Sequence, residues 1–180
     1  MIPVSSFRAP TAIAAILATL VSLAACSPAP DATPSPTATP LFATEKEAFA
    51  AAEATYRAYR DAANASVLND SSTFEAVFTW LRSDALAASR KSLTAYNAEG
   101  ATRIGESTFD HFTPVAYDGT AITARLCLDV SQVDVVDPAG VSIVASDRPA
   151  RQPLEVELRR AQTATGLAIF SSIATEELSC

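Results

Sequence analysis

Residues 121–130 read Ala121-Ile122-Thr123-Ala124-Arg125-Leu126-Cys127-Leu128-Asp129-Val130. Ile122, Ala124, Leu126, Leu128 and Val130 alternate with Thr123, Arg125, Cys127, Asp129 and Ser131. A period of two places alternate side chains on opposite faces of a strand, one against a core and one toward water. Just upstream, Asp118-Gly119 is the strongest short hairpin signal in the chain, so residues 102–117 are predicted to form the preceding strand. Downstream, the strand is expected to bend near Ser131 and continue through Val133 and Val135 to a turn at Asp137-Pro138-Ala139-Gly140. Leu154, Val156 and Leu158, alternating with Glu155, Glu157 and Arg159, predict a third strand, and Leu167, Ile169, Ser171 and Ile173 a fourth.

Upstream of Gly100 the period is 3.6. Thr44 and Glu47 form a capping box, and Phe49, Ala52, Tyr56, Tyr59 and Ala63 make one apolar stripe, which predicts a helix over 45–67. Asn69-Asp70-Ser71-Ser72 is a break. Ser72 with Glu75 offers a second capping box for a short helix that turns Phe74, Val77, Phe78 and Leu81 inward. Ser83 is expected to cap a third helix over 84–99, closed by Gly100 in a left-handed conformation. Its inner side would carry Leu86, Leu93 and Tyr96, with alanines allowing close packing. Helices first and hairpin-linked strands afterwards indicate an α+β domain: three N-terminal helices packed on a strongly bent antiparallel sheet of about four strands.

The first 42 residues differ in kind. Residues 1–25 contain no acidic residue and a single Arg, Arg8. Residues 12–25 are apolar apart from Thr19 and Ser22, and as a helix these 14 residues would span roughly 21 Å, short of a ~30 Å hydrocarbon core. That length fits a cleaved export signal. The run ends in Leu23-Ala24-Ala25-Cys26, which resembles the lipobox of bacterial lipoproteins, with the Cys26 thiol as acceptor of a diacylglyceryl group and palmitate as a further acyl chain. An ordinary secretory signal with an accidental cysteine is the alternative. Two acyl chains hold a protein stably at a bilayer, whereas one does not. Five prolines in residues 27–40 block helix and ladder hydrogen bonds and favour polyproline II. The expected organisation is a signal peptide over 1–25, a lipid-anchored Pro-rich linker over 26–42 and a globular domain over 43–180, on the outer face of a bacterial cytoplasmic membrane.

Composition limits the partners. The chain of 180 residues has a formal net charge of -7 and is 49% hydrophobic. Residues 26–180 hold 20 acidic and 12 basic side chains, an acidic balance that argues against nucleic acid, which requires clustered Lys and Arg. One His and three Cys leave little material for a metal, and no cofactor-binding fingerprint is present.

Three helices followed by a long bent sheet resemble the nuclear transport factor 2-like cone-shaped α+β barrel. More narrowly, the chain resembles a family of small uncharacterised actinobacterial lipoproteins. That likeness is carried by the lipobox at Cys26, the Pro/Thr linker, the run Ala51-Ala52-Glu53-Ala54-Thr55-Tyr56-Arg57-Ala58-Tyr59, the Cys127-Leu128-Asp129-Val130 strand and the terminal Ser179-Cys180. The superfamily hosts enzymes, binding modules and regulators, so the resemblance implies a fold and no single function. With Cys26 assigned to lipid, Cys127 and Cys180 remain as an even pair in an exported chain. They can bridge if the C-terminal tail lies beside the second strand; two buried free thiols are the alternative.

Candidate chemistry is sparse. His111 follows Asp110, and superfamily members of isomerase and dehydratase type use such a pair in acid/base work. Adjacent strand residues point to opposite faces, so Asp110 is not expected to orient His111, and a partner would come from Asp129, Glu106 or Tyr117. Asp129, Asp134 and Asp137 do not match a calcium loop. Arg82, Arg90 and Lys91 suit either an anionic surface or a solvated helix face. Tyr56, Tyr59, Phe74, Phe78 and Trp80 either line a pocket inside the cone or form its core. Two functional classes follow. One is a non-catalytic envelope module that binds a small ligand, a wall component or an envelope protein; the other is an enzyme using His111 with a carboxylate. A homodimer formed through the sheet stays open.

Overall fold

The computed structural model describes residues 39–180. The expected export signal, Cys26 and residues 27–38 of the Pro-rich segment lie outside the described residues. The helix α1 (Glu45–Ala65) starts as its sequence dictates: Thr44 Oγ1 accepts the Glu47 amide at 3.2 Å, and Glu45 and Glu47 sit at the positive end of the helix dipole. Ala48, Ala52, Thr55 and Tyr56 are its buried stripe, while Phe49, Tyr59 and Ala63 are half-buried beside it.

The next two caps differ from expectation. Asp70, not Ser72, is the cap: its Oδ1 accepts the Ser72 amide at 3.0 Å and opens a 3-10 turn, Ser71–Thr73, that runs straight into α2 (Phe74–Phe78). The helical path has begun before Ser72 could cap it, so the Ser72–Glu75 box does not form. Ser83 is the first residue of α3 (Ser83–Ala98) rather than its cap, and it takes a positive φ of 48°. The Arg82 guanidinium instead donates to the carbonyls of Thr79 at 3.1 Å and Leu81 at 2.6 Å, closing α2. At the far end of α3, Gly100 at φ +65° donates to Asn97 O and Ala101 donates to Tyr96 O, the paired bonds of a Schellman stop.

Six strands follow: β1 (Thr102–Ile104), β2 (Thr108–Tyr117), β3 (Ala121–Asp129), β4 (Asp134–Val136), β5 (Arg151–Arg160) and β6 (Leu167–Ala174). The order β2-β3-β5-β6 makes one antiparallel sheet, and β1 pairs with β4 in a second, two-stranded one. The predicted single strand over 102–117 is therefore broken. At Gly105, φ +76°, a Cβ would lie 1.9 Å from the Gln132 carbonyl oxygen, so only glycine fits where the two segments part. The predicted continuation of β3 through Val135 is also corrected. The chain turns after Val130 and leaves the main sheet, and β4 pairs with β1 as Thr102↔Val136 and Ile104↔Asp134.

One face of the sheet is the core. Ile122, Leu126, Val156, Leu158, Leu167 and Ile169 are fully buried against Tyr56 and Val77 from the helices and Leu81 from the turn after α2. The junction after α2 is fixed to the β6 edge by Arg82 N–H to Ile169 O and Ile169 N–H to Trp80 O, both 2.9 Å. Register shifts in β2, between Asp110/Thr113 and Pro114/Ala116, and in β6, opposite Glu157/Leu158, bend the sheet around α1. The β6 shift reverses the alternation, so Ser172 pairs with Val156 while Ile173, expected inward, is 58% exposed. The result is an α+β cone: three helices on a strongly curved, four-stranded antiparallel sheet.

Leu41 and Phe42, assigned to the linker from sequence, pack on the β2–β3 hairpin. The Leu41 amide donates to Gly119 O at 3.1 Å, and the Phe42 amide to the Tyr117 hydroxyl at 2.9 Å. In that hairpin the Asp118 carboxylate accepts the Ala121 amide, then the Thr120 amide and hydroxyl, which pulls its pKa from 3.8 to about 2. Because the folded value is the lower one, this contribution to stability is present above 3.8 and is lost as pH falls through about 2. A carboxyl-carbon NMR titration should place the Asp118 midpoint well below 3.8; a midpoint at or above it would contradict the hairpin geometry.

No helix among the described residues is long and apolar enough to cross a membrane.

Candidate functional site

The inner face of α3 is Ala85, Ala88, Ser89, Ser92, Leu93 and Tyr96, one side of a 3.6-residue period. Sequence reading assigns its alanines to close packing. Instead, α3 contains no fully buried residue, and these short side chains leave a cavity of about 520 Å³ between α3, α1 and the concave sheet face. Tyr59, Arg60 and Ala63 of α1 form a second wall. Val77, Leu81 and Ile169 supply apolar surface, and Gln152 and Ser172 reach it from β5 and β6.

Three arginines line the same cavity: Arg60, Arg103 and Arg148. Arg103, on β1, donates to the carbonyls of Ala63 (2.8 Å), Asn64 and Ser66 (2.7 Å), satisfying the end of α1 and setting a cation at its negative pole. This contact is one reason the helix stops at Ala65 and not at Val67. Burial, and next the neighbouring Arg60 cation, lower the Arg103 pKa, with Glu106 opposing. Arg148, from the loop between β4 and β5, donates to Val130 O at 3.1 Å and Val133 O at 2.6 Å, holding the turn after β3. Arg60 lies 5.2 Å over the Tyr59 ring and donates through one terminal nitrogen to Ser107 Oγ. Its Nε is buried and has no hydrogen-bond partner among the described residues. None of the three takes part in an ion pair among the described residues, and the cavity lining includes no Asp or Glu. Nothing in the local sequence around these arginines marks them, because they lie 40 or more residues apart and are brought together by the β1–β4 pairing.

Of the aromatic residues expected at the pocket, only Tyr59 lines it. Tyr56 is 1% exposed and stacks edge-to-face with Tyr59 and Phe109; burial raises its hydroxyl pKa. Phe74 is buried and meets Phe78 edge-on, and Phe78 lies under the Arg90 guanidinium at 5.2 Å. Trp80 contributes its carbonyl to the β6 edge rather than a wall to the cavity. These side chains are core and surface packing.

The Asp110–His111 geometry overturns the alternation argument. His111 sits at the β2 bulge with φ +50°, which breaks the strand parity, and its Nδ1 lies 2.7 Å from Asp110 Oδ1. Both Asp110 oxygens also accept from one terminal nitrogen of Arg151, at 2.6 and 2.9 Å, and Arg151 donates to Asp129 at 3.1 Å and to Cys180 O at 3.2 Å. The hydrogen bond from His111, and then that from Arg151, hold the Asp110 carboxyl below its ordinary pKa. None of Glu106, Tyr117 or Asp129 is the partner of His111. The cluster lies on the convex side of the sheet with Cys127, away from the cavity, and the His111 side chain is 66% exposed. Asp110, His111 and Cys127 come within 4.8 Å of one another, but Cys127 is bridged to Cys180 and offers no thiolate for a metal.

The three aspartates do not converge. Asp129 pairs with Arg151, Asp134 accepts from Ser142 Oγ at 2.6 Å, and Asp137 accepts the Ala139 and Val141 amides of its own turn.

No protein-family model matches the chain, and no curated protein matches it. Solved structures do resemble it. A Novosphingobium aromaticivorans protein provisionally named an aromatic ring hydroxylase matches at 15% identity over 73% of this chain and 96% of its own, with a TM-score of 0.47. The intermembrane space region of the chloroplast protein ARC6 matches at 13% identity over 68% and 92%, TM-score 0.48. A periplasmic fragment of TraM matches at 15% identity over 74% and 98%, TM-score 0.46. Likeness at this level says nothing of activity.

Proposed function

We propose that the chain is a lipid-anchored extracytoplasmic lipoprotein whose cone domain is a non-catalytic binding module, taking a small ligand between α1, α3 and the concave sheet face. The observation that carries this reading is the cavity of about 520 Å³, within the range of small-molecule sites and lined by polar and apolar side chains in about equal measure. Its lining contains no Asp, Glu, His or Cys, the side chains that most often take up a proton or attack a substrate. Export and anchoring rest on the apolar run before Cys26 and on the Pro-rich segment after it.

The second reading, an isomerase- or dehydratase-type enzyme using His111, is favoured by the 2.7 Å contact with Asp110. That pair is on the outer surface beside the C-terminal tail, with no enclosed space around it among the described cavities.

The test has two arms on one protein. Cys26→Ser should move the chain from the membrane fraction to the soluble one; retention in the membrane fraction would sink the anchor. The soluble Cys26→Ser protein should then bind the neutral fluorophore N-phenyl-1-naphthylamine saturably. Adding Ser89→Trp, which fills the cavity from its α3 wall, should abolish binding, whereas adding His111→Ala should leave it unchanged. Fluorescence that never saturates, or that survives Ser89→Trp, would contradict the cavity as the binding site.

A further inference from the structure

We infer that the ligand of this cavity is an amphipathic carboxylate, its head held by Arg60 with Arg103 and Arg148, and its apolar body along Val77, Leu81 and Ile169; the inference rests on the cavity being a binding site. Three observations converge on it. The first is charge: a protein with a formal net charge of -7 lines one cavity with three arginines and no carboxylate. Outside the cavity four arginines find acids, Arg57 with Glu53, Arg125 with Glu155, Arg151 with Asp110 and Asp129, and Arg159 with Glu157, while Arg82, Arg90 and Arg160 find none among the described residues. The cavity arginines make no such pair among the described residues.

The second observation is an unsatisfied donor. A buried N–H on a charged group left without a partner is costly, and native proteins rarely retain one without a reason. Arg60 Nε is such a group, in a residue that lines the cavity. Its guanidinium has five N–H donors in a planar fork, of which one contact, to Ser107, is made within the described residues. Arg103 and Arg148 are oriented by backbone carbonyls, so their positions do not depend on a ligand. A pair of oxygens on one planar head matches this fork better than a hydroxyl or an ammonium does.

The third is the division of the walls. The arginines come from α1, β1 and the loop between β4 and β5, whereas Val77 comes from α2, Leu81 from the turn after it and Ile169 from β6. A ligand spanning both needs a charged end and an apolar end.

The experiment displaces N-phenyl-1-naphthylamine from the soluble Cys26→Ser protein with decanoate, decan-1-ol and decyltrimethylammonium, which share a chain and differ in head charge. Decanoate should displace it at a concentration about tenfold or more below decan-1-ol, the ratio expected of one charge-assisted contact. Decyltrimethylammonium should be the weakest of the three. Arg60→Gln should bring decanoate and decan-1-ol within about threefold of each other, and Arg60→Lys should restore part of the difference. Equal displacement by decanoate and decan-1-ol in the unsubstituted cavity would overturn the carboxylate while leaving the cavity a binding site. Failure of the fluorophore itself to bind would overturn both. The three-probe comparison needs no arginine variant, so it stands even where Arg60→Gln fails to fold.

Discussion

Removing the Cys127–Cys180 bridge should lower the stability of the domain by about 4 kcal/mol. The bridge spans 53 positions, and closing a loop of that length restricts the unfolded chain by roughly this amount in the chain-entropy model. On the folded side the bridge also has a clear task. Cys127 lies on the convex face, where the pattern of β3 would otherwise expose it, yet it is 0% exposed because the tail is fastened over it. Besides the bridge, the tail is held by the Thr175 amide on Pro153 O at 3.1 Å and by Arg151 on Cys180 O. Against a usual stability of about 5–15 kcal/mol, the loss is a large share of the total. Urea denaturation of the oxidised protein and of a Cys127→Ala/Cys180→Ala variant would measure it. A difference under about 1 kcal/mol would show that the tail is secured without the bridge.

Leu126→Ala should cost about 3 kcal/mol, within the range for a large-to-small change at a fully buried site. Leu126 is 0% exposed, stands mid-strand in β3 and pairs across to Leu154, with α1 and α2 covering the face it occupies. On one side β5 is paired with β3 along its whole length, which limits how far the backbone can collapse into the space left behind, although β2 bulges opposite Leu126. The urea midpoint should fall with little change in slope. A cost below about 1 kcal/mol would mean that the concave face is not the core.

The main sheet is legible in the sequence because its burial is one-sided. Ile122, Ala124 and Leu126, and Val156 and Leu158, are buried between half-buried or exposed neighbours as the alternation predicts, and the pattern breaks at Cys127, which the tail covers. The helix α1 is equally plain, since Thr44 and the apolar stripe act within a few residues of one another. What sequence misses depends on backbone choices or on distant pairing. The contact of His111 with Asp110 arises from a positive φ at a β2 bulge, which no local motif encodes. The outward turn of Ile173 comes from a shift opposite Glu157/Leu158. The arginine-lined cavity needs β4 to leave the sheet and pair with β1, a choice enforced at Gly105 by the Gln132 carbonyl. Small residues on α3 signal close packing or an open space equally well, and only the position of the helix decides between them.

A crystal structure of the soluble Cys26→Ser protein with decanoate tests the binding account most directly. The expected result is one decanoate between α1, α3 and the concave sheet, its carboxylate within hydrogen-bond distance of Arg60 Nε and its chain against Leu81 and Ile169. Decanoate found only on the outer surface, or in the cavity with its carboxylate away from all three arginines, would contradict it.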